Sequence, residues 1–123
     1  MKRLSVAVID DEPAVRKGLS RLLRTAEFEA RTYESAQQFL DRLPAERPDC
    51  LIMDLQMPGV SGMELQAILR RDDVRLPVII MTARDDPESH DKCVALGAAA
   101  CLCKPLDCDT LVDVIHSVTA SQN

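Results

Sequence analysis

The chain has 123 residues, 46% of them hydrophobic and 28% charged, a length and composition that suit one compact domain with one core. Its formal net charge of −5 excludes a basic nucleic-acid binder, and no apolar run approaches the roughly 18 residues that a bilayer span requires. The start, MKRLSVAVIDDEP, turns acidic where a secretory segment stays apolar, so the sequence predicts a soluble cytoplasmic protein without membrane association.

Val6 to Ile9 is the first predicted strand. Behind Pro13, the residues Val15, Leu19, Leu22 and Leu23 keep the i, i+4, i+7, i+8 spacing of an amphipathic helix. A weaker strand spans Ala30 to Tyr33, and Phe39, Leu40 and Leu43 mark the second helix. Cys50 to Met53 is the third strand, followed by a helix marked by Leu65, Ile68 and Leu69. Val78 to Met81 is the fourth strand. The helix after it, Pro87 to Leu96, has a polar first half and only Cys93, Val94 and Leu96 to bury, which predicts the most loosely held helix of the chain. Ala99 to Cys103 is the fifth strand, and Leu111, Ile115 and Val118 mark a last helix capped by Asp107 or Asp109. Four of the five strands are continuously apolar, as expected of strands covered by helices on both faces. The domain is expected over residues 1–119, with the small polar residues of 120–123 starting a linker or tail.

Strands alternating with helices predict an α/β fold: a doubly wound, five-stranded parallel sheet in a three-layer α/β/α sandwich. Ligands of such folds bind at the carboxyl ends of the strands. Here those ends carry Asp10, Asp11 and Glu12 after the first strand, Asp54 after the third, Thr82 after the fourth, and Lys104 and Pro105 after the fifth. Singly, each has a plain role: Asp10 or Asp11 as a cap for the helix behind Pro13, Asp54 as a turn carboxylate, Thr82 as a cap, Lys104 as a surface cation. Jointly they put carboxylates, a hydroxyl and an ammonium on one rim, more than capping requires. Carboxylates crowded there repel one another, and a divalent cation removes the conflict; oxygen donors without His or Cys favour Mg²⁺, with Mn²⁺ as a substitute. A carboxylate needs no base to act as a nucleophile, so Asp54 is the candidate to form an aspartyl phosphate, with Lys104 and Thr82 neutralising and positioning the phosphoryl group.

Over essentially its whole length, through VAVIDDE, LIMDLQMPGVSGMEL, PVIIMTA and the KP of CLCKP, the sequence resembles the receiver domain of two-component response regulators. The resemblance implies a flavodoxin-like strand order 2-1-3-4-5 and transfer of a phosphoryl group from a sensor histidine kinase onto Asp54. It further implies that Asp10 and Asp11 hold Mg²⁺ together with Asp54 and the backbone carbonyl of Gln56. Thr82 is then the switch hydroxyl, Lys104 the phosphate-pairing cation, and Pro105 the residue after a cis peptide. Such a domain is not an enzyme on an external substrate; it catalyses only its own phosphorylation and dephosphorylation. QMPGVSGMEL and TARDD resemble regulators with a C-terminal LuxR-type helix-turn-helix, which implies that DNA is contacted only through an output domain absent from this chain. Where the family usually carries Tyr or Phe, three residues before the lysine, the chain has Cys101, so Cys101 is the second switch position. Gln56 and Arg84 resemble positions that tune hydrolysis. The low apolar content of the fourth helix predicts a phosphorylation-dependent homodimer or inter-domain contact through that helix, the fifth strand and the fifth helix. A stand-alone receiver and a phosphorylation-independent pseudo-receiver are the alternatives; the complete set of acidic pair, Asp54, Thr82 and Lys104 argues against the latter.

A flavodoxin-like cofactor binder needs a phosphate-cradling loop after the first strand, and DDEP repels phosphate instead. The five cysteines, odd in number and mostly in apolar segments, fit reduced thiols. Cys101 and Cys103 fall about 6.6 Å apart on one strand face, poorly aimed for a disulfide, and no Cys-x-x-Cys supports zinc. Packing is therefore the expected use of Cys101, Cys103 and Cys108. His90 and His116 are expected on helix surfaces away from the rim.

Overall fold

The computed structural model describes residues 3–43, 45, 47–55, 62–72, 76–83, 87–95 and 97–120. Five strands alternate with five helices among them: β1 (Ser5–Ile9), α1 (Pro13–Thr25), β2 (Glu29–Tyr33), α2 (Ala36–Arg42), β3 (Cys50–Asp54), α3 (Gly62–Arg71), β4 (Val78–Thr82), α4 (Pro87–Ala95), β5 (Ala100–Cys103) and α5 (Cys108–Ala120). The strands are all parallel and lie in the order β2-β1-β3-β4-β5. The winding therefore reverses between β1 and β3, which puts a topological switch point between their carboxyl ends.

Alternation along each strand divides the core in two. Val6, Val8, Cys50, Ile52, Ile79 and Met81 pack with Leu19 and Leu23 of α1 and Leu111, Ile115 and Val118 of α5. Their neighbours Ala7, Ile9, Leu51, Met53, Val78 and Ile80 pack on the other face with Phe39 of α2, Leu65 and Leu69 of α3, and Cys93 of α4. Both faces of β1, β3 and β4 are thus covered, which is why these strands read as unbroken apolar runs. Tyr33 meets Phe39 edge-on, with ring centroids 5.4 Å apart. Burial pushes the Cys50 thiol up to about 12; burial, together with a hydrogen bond to Cys101, does the same for Cys93, so both stay protonated as packing groups.

Local chemistry fixes the helix ends. Ser35 caps α2 by accepting the Gln38 N–H at 3.1 Å, while Gln38 accepts the Glu34 N–H at 2.7 Å. Of the two candidates for α5, Asp107 is the cap: one carboxylate oxygen accepts the Thr110 N–H at 3.0 Å and its hydroxyl at 2.9 Å. α1 and α4 end alike. Glu27 N–H bonds to Arg24 C=O and Phe28 N–H to Leu23 C=O; Gly97 N–H bonds to Val94 C=O and Ala98 N–H to Cys93 C=O. This paired closure places its first residue in the left-handed region, φ 75° at Gly97 and φ 69° at Glu27. Glycine takes that conformation freely, and Glu27 does not.

Three expectations need correction. β5, read as covered on both faces, is an edge strand: with one neighbour only, Ala100, Cys101 and Leu102 are half-buried and Cys103 is exposed. Packing as the use of the thiols accordingly holds for Cys101, which lies against the α4-side core, but not for the exposed Cys103 and Cys108. Val94, counted among the residues α4 had to bury, is 64% exposed, and the buried residues of α4 are Ser89 and Cys93. Leu96 lies outside the described residues. His90 and His116 are exposed as expected; His116 sits against Phe28 with ring centroids 5.4 Å apart.

Glu27→Gly should raise stability by about 1 kcal/mol through relief of the left-handed strain. Phe39→Ala should lower it by about 3–5 kcal/mol. Urea titration of both variants against wild type checks the two values.

Candidate functional site

The site forms where β1, β3, β4 and β5 end together. Backbone hydrogen bonds carry the ladder one residue beyond the strands: Asp10 N–H to Tyr33 C=O at 3.2 Å, Leu55 N–H to Met81 C=O at 2.8 Å, and Lys104 N–H to Thr82 C=O at 2.8 Å. Side chains at these positions are therefore set by the sheet rather than by free loops. Asp10 is fully buried. One of its carboxylate oxygens accepts the Glu12 N–H at 2.9 Å, and its backbone carbonyl accepts a hydrogen bond from Arg16 Nη1 at 2.7 Å. Arg16 in turn reaches Glu34 at 3.8 Å. The cap position of α1 is Glu12, with Pro13 opening the helix and no side-chain capping bond, so neither Asp10 nor Asp11 serves as the cap.

Lys104 ties the rim together. Its Nζ donates to Asp54 Oδ2 at 2.7 Å and to Asp10 Oδ2 at 3.4 Å. Partial burial works to lower the Lys104 pKa, but the hydrogen bond and charge of Asp54, joined by Asp10, outweigh it and hold the ammonium above the ordinary lysine value of 10.5. The Lys104–Pro105 peptide is cis. Beside the ion pair lies a cavity of about 220 Å³, lined by Asp54, Lys104, Thr82, Leu55, Ala83, Glu12 and Ser89.

Asp10, Asp11 and Glu12 offer one carboxylate oxygen each, all within 4.8 Å of one another, with Asp10 buried and the other two exposed. Asp54, paired with Lys104, lines the cavity beside them. An all-oxygen donor set on a partly open rim fits a hard divalent cation that keeps several waters. Of the expected site residues, Asp10 and Asp54 each contact Lys104, Thr82 at 7% exposure lines the cavity with Asp54 and Lys104, and Asp11 adjoins Asp10. Cys101 lies away from this rim group, in the core cluster that contains Cys93. Gln56 and Arg84 lie outside the described residues.

Sequence reasoning missed Arg16 and Ser89 as parts of the site. Ser89 was detectable: it stands one turn before Cys93, so the two share a helix face, but the polar stretch around it reads as solvent-facing.

Residues 6–116 match the family of response regulator receiver domains. The chain belongs to that family. This receiver is 35% identical over 116 residues to the transcriptional regulatory protein TdiR of Thauera aromatica, an alignment covering 94% of the receiver and 51% of TdiR. It is 37% identical over 112 residues to the transcriptional regulatory protein FixJ of Bradyrhizobium diazoefficiens, covering 91% and 55%. The receiver thus spans about half the length of these curated relatives. A crystal structure of a response regulator receiver protein from Burkholderia phymatum, 39% identical, matches with a TM-score of 0.85 over 96% of each chain. Receivers of this family serve phosphorelay signalling and are not enzymes for an external substrate. Their phosphotransfer depends on Mg²⁺, and the acidic cluster of this receiver suits that ion.

Because folding raises the Lys104 pKa, the stability that this ammonium contributes is fully present below the ordinary lysine range and is lost as pH rises through the folded value. The stability gap between wild type and Lys104→Met, read by urea titration, should stay constant from neutral pH to near 10.5 and shrink above it.

Proposed function

We propose that this receiver takes a phosphoryl group from a phosphohistidine of a sensor histidine kinase onto Asp54 and changes conformation in response. The observation that carries the reading is the 2.7 Å ion pair between Lys104 and Asp54 at the mouth of a cavity that Thr82 also lines. In the transfer, an Asp54 oxygen bonds to phosphorus as the phosphorus–nitrogen bond of the donor breaks, and the imidazole leaves with the electron pair. Lys104, held charged, neutralises the incoming oxygens, and the Thr82 hydroxyl donates to one of them. Asp10 and Asp11, with Asp54 and the Gln56 backbone carbonyl, are the proposed Mg²⁺ ligands. Bound there, the ion supplies further neutralisation of phosphoryl charge.

We assign residues 1–119 to the receiver and 120–123 to the start of a linker. TdiR and FixJ are transcriptional regulators of about twice this length, which supports a transcriptional output domain controlled by the receiver; a LuxR-type, DNA-binding domain is the form we propose for it. Thr82 and Cys101 are the proposed switch positions, and α4, β5 and α5 the proposed homodimer surface. The thin burial of α4 and the exposed Val94 on it support that choice.

A small-molecule phosphodonor with Mg²⁺ should add one phosphoryl group to wild type and none to Asp54→Asn by intact mass, and chelation should abolish labelling. Equal labelling of the two proteins overturns the assignment. Cys101→Tyr should leave labelling within about twofold of wild type, since that position is outside the Asp54 and Lys104 chemistry, while shifting the monomer–dimer equilibrium measured by sedimentation with a phosphoryl mimic. The larger ring changes the surface buried in the two states, which the small thiol does not.

A further inference from the structure

Helix α4 is attached to the rest of the receiver by few side chains. Its buried residues are Ser89 and Cys93, one turn apart. Glu88, His90, Asp91, Lys92 and Val94 are exposed. The two anchors differ in kind. Cys93, 1% exposed, packs in the apolar core on which Cys101 also rests. Ser89, 9% exposed, is the α4 residue that lines the cavity beside Asp54, Thr82 and Lys104.

We infer that Ser89 couples α4 to the state of Asp54: its hydroxyl donates a hydrogen bond to an oxygen of the phosphoryl group, alongside Thr82. The inference rests on the reading of Asp54 as the phosphoacceptor. A phosphoryl group brings close to two negative charges and several strong acceptor oxygens into a cavity of about 220 Å³. A serine hydroxyl has one donor that rotates freely, so it can turn from its partner in the unphosphorylated state to a phosphoryl oxygen without moving the backbone far. Such a bond to a charged acceptor is among the stronger ones available to a neutral side chain. On a helix with many apolar anchors, one bond of this kind would change little. α4 has one apolar and one polar anchor, so its position follows what occupies the cavity. Cys101, small and half-buried behind this helix, offers no ring to compete for that role.

The test uses beryllium fluoride with Mg²⁺ as the phosphoryl mimic, with affinity read by calorimetry and α4 by amide exchange over residues 87–95. Wild type should bind the mimic and gain protection in α4, and Asp54→Asn should do neither. Ser89→Ala should bind about tenfold more weakly and lose the α4 response. Ser89→Cys, which keeps the size but offers only a weak donor, should follow Ser89→Ala, and Ser89→Thr, which keeps the hydroxyl, should restore both readouts. If Ser89→Ala or Ser89→Cys matches wild type in affinity and α4 protection, the inference fails while Asp54 stands as the acceptor. A loss in Ser89→Thr as large as in Ser89→Ala also overturns it, because shape and not the hydroxyl would then matter. Absence of binding to wild type, or equal binding to Asp54→Asn, removes the reading of Asp54 and this inference with it.

Discussion

One ammonium holds two carboxylates that arrive from different strands. Lys104, at the end of β5, reaches past β4 to Asp54 at the end of β3 and to Asp10 just beyond β1. Asp10 has no exposure to water, and its carboxylate is met by this lysine and by the Glu12 N–H. Removing one partner of such a buried arrangement leaves the other uncompensated and costs about 3–5 kcal/mol in comparable cases. The strand registers are part of the same constraint. Ile9 pairs with Met53, Asp54 with Met81 and Thr82 with Cys103, and these pairings bring the charged ends to one level. A one-residue slip of any central strand would invert its two faces and separate the ends.

The parts of this arrangement that sequence reading recovers are those dictated by burial on both faces. β1, β3 and β4 are legible because every apolar residue in them enters one core or the other, and the apolar run then stops at Asp10, Asp54 and Thr82. β5 shows the limit. Its residues are as apolar as those of β4, yet it is half-covered, because edge position follows from strand order and not from composition. The exposure of Cys103 has the same origin. The choice between Asp107 and Asp109 as the cap of α5 also needed geometry, since both precede the apolar stripe and only Asp107 meets the Thr110 donors. Ser89 shares a helix face with Cys93, but a small hydroxyl in a polar stretch reads as solvent-facing, so its burial needed geometry.

The helices around the sheet are held with unequal strength. On one side α1 and α5 present five fully or nearly fully buried aliphatic residues to the sheet. On the other, α2 and α3 bury Ala36, Phe39, Leu65 and Leu69, whereas α4 presents a serine and a cysteine. The charged rim therefore adjoins one weakly anchored helix among well-anchored ones, and a change in its charge is expressed more easily in that helix.

The two edges of the sheet also differ in how they meet other chains. β2 carries Glu29 and Arg31, paired at 3.1 Å, with exposed Thr32 beside them, so an incoming strand would have to accommodate charge along that edge. β5 has only Ala100, Cys101, Leu102 and Cys103, and its first charge is Lys104, already engaged with Asp54 and Asp10. Self-association by backbone pairing is thus opposed at one edge by charge and limited at the other mainly by the shortness of a four-residue strand. A change that lengthened β5, or that freed Lys104 from the rim, would alter the balance at that edge alone.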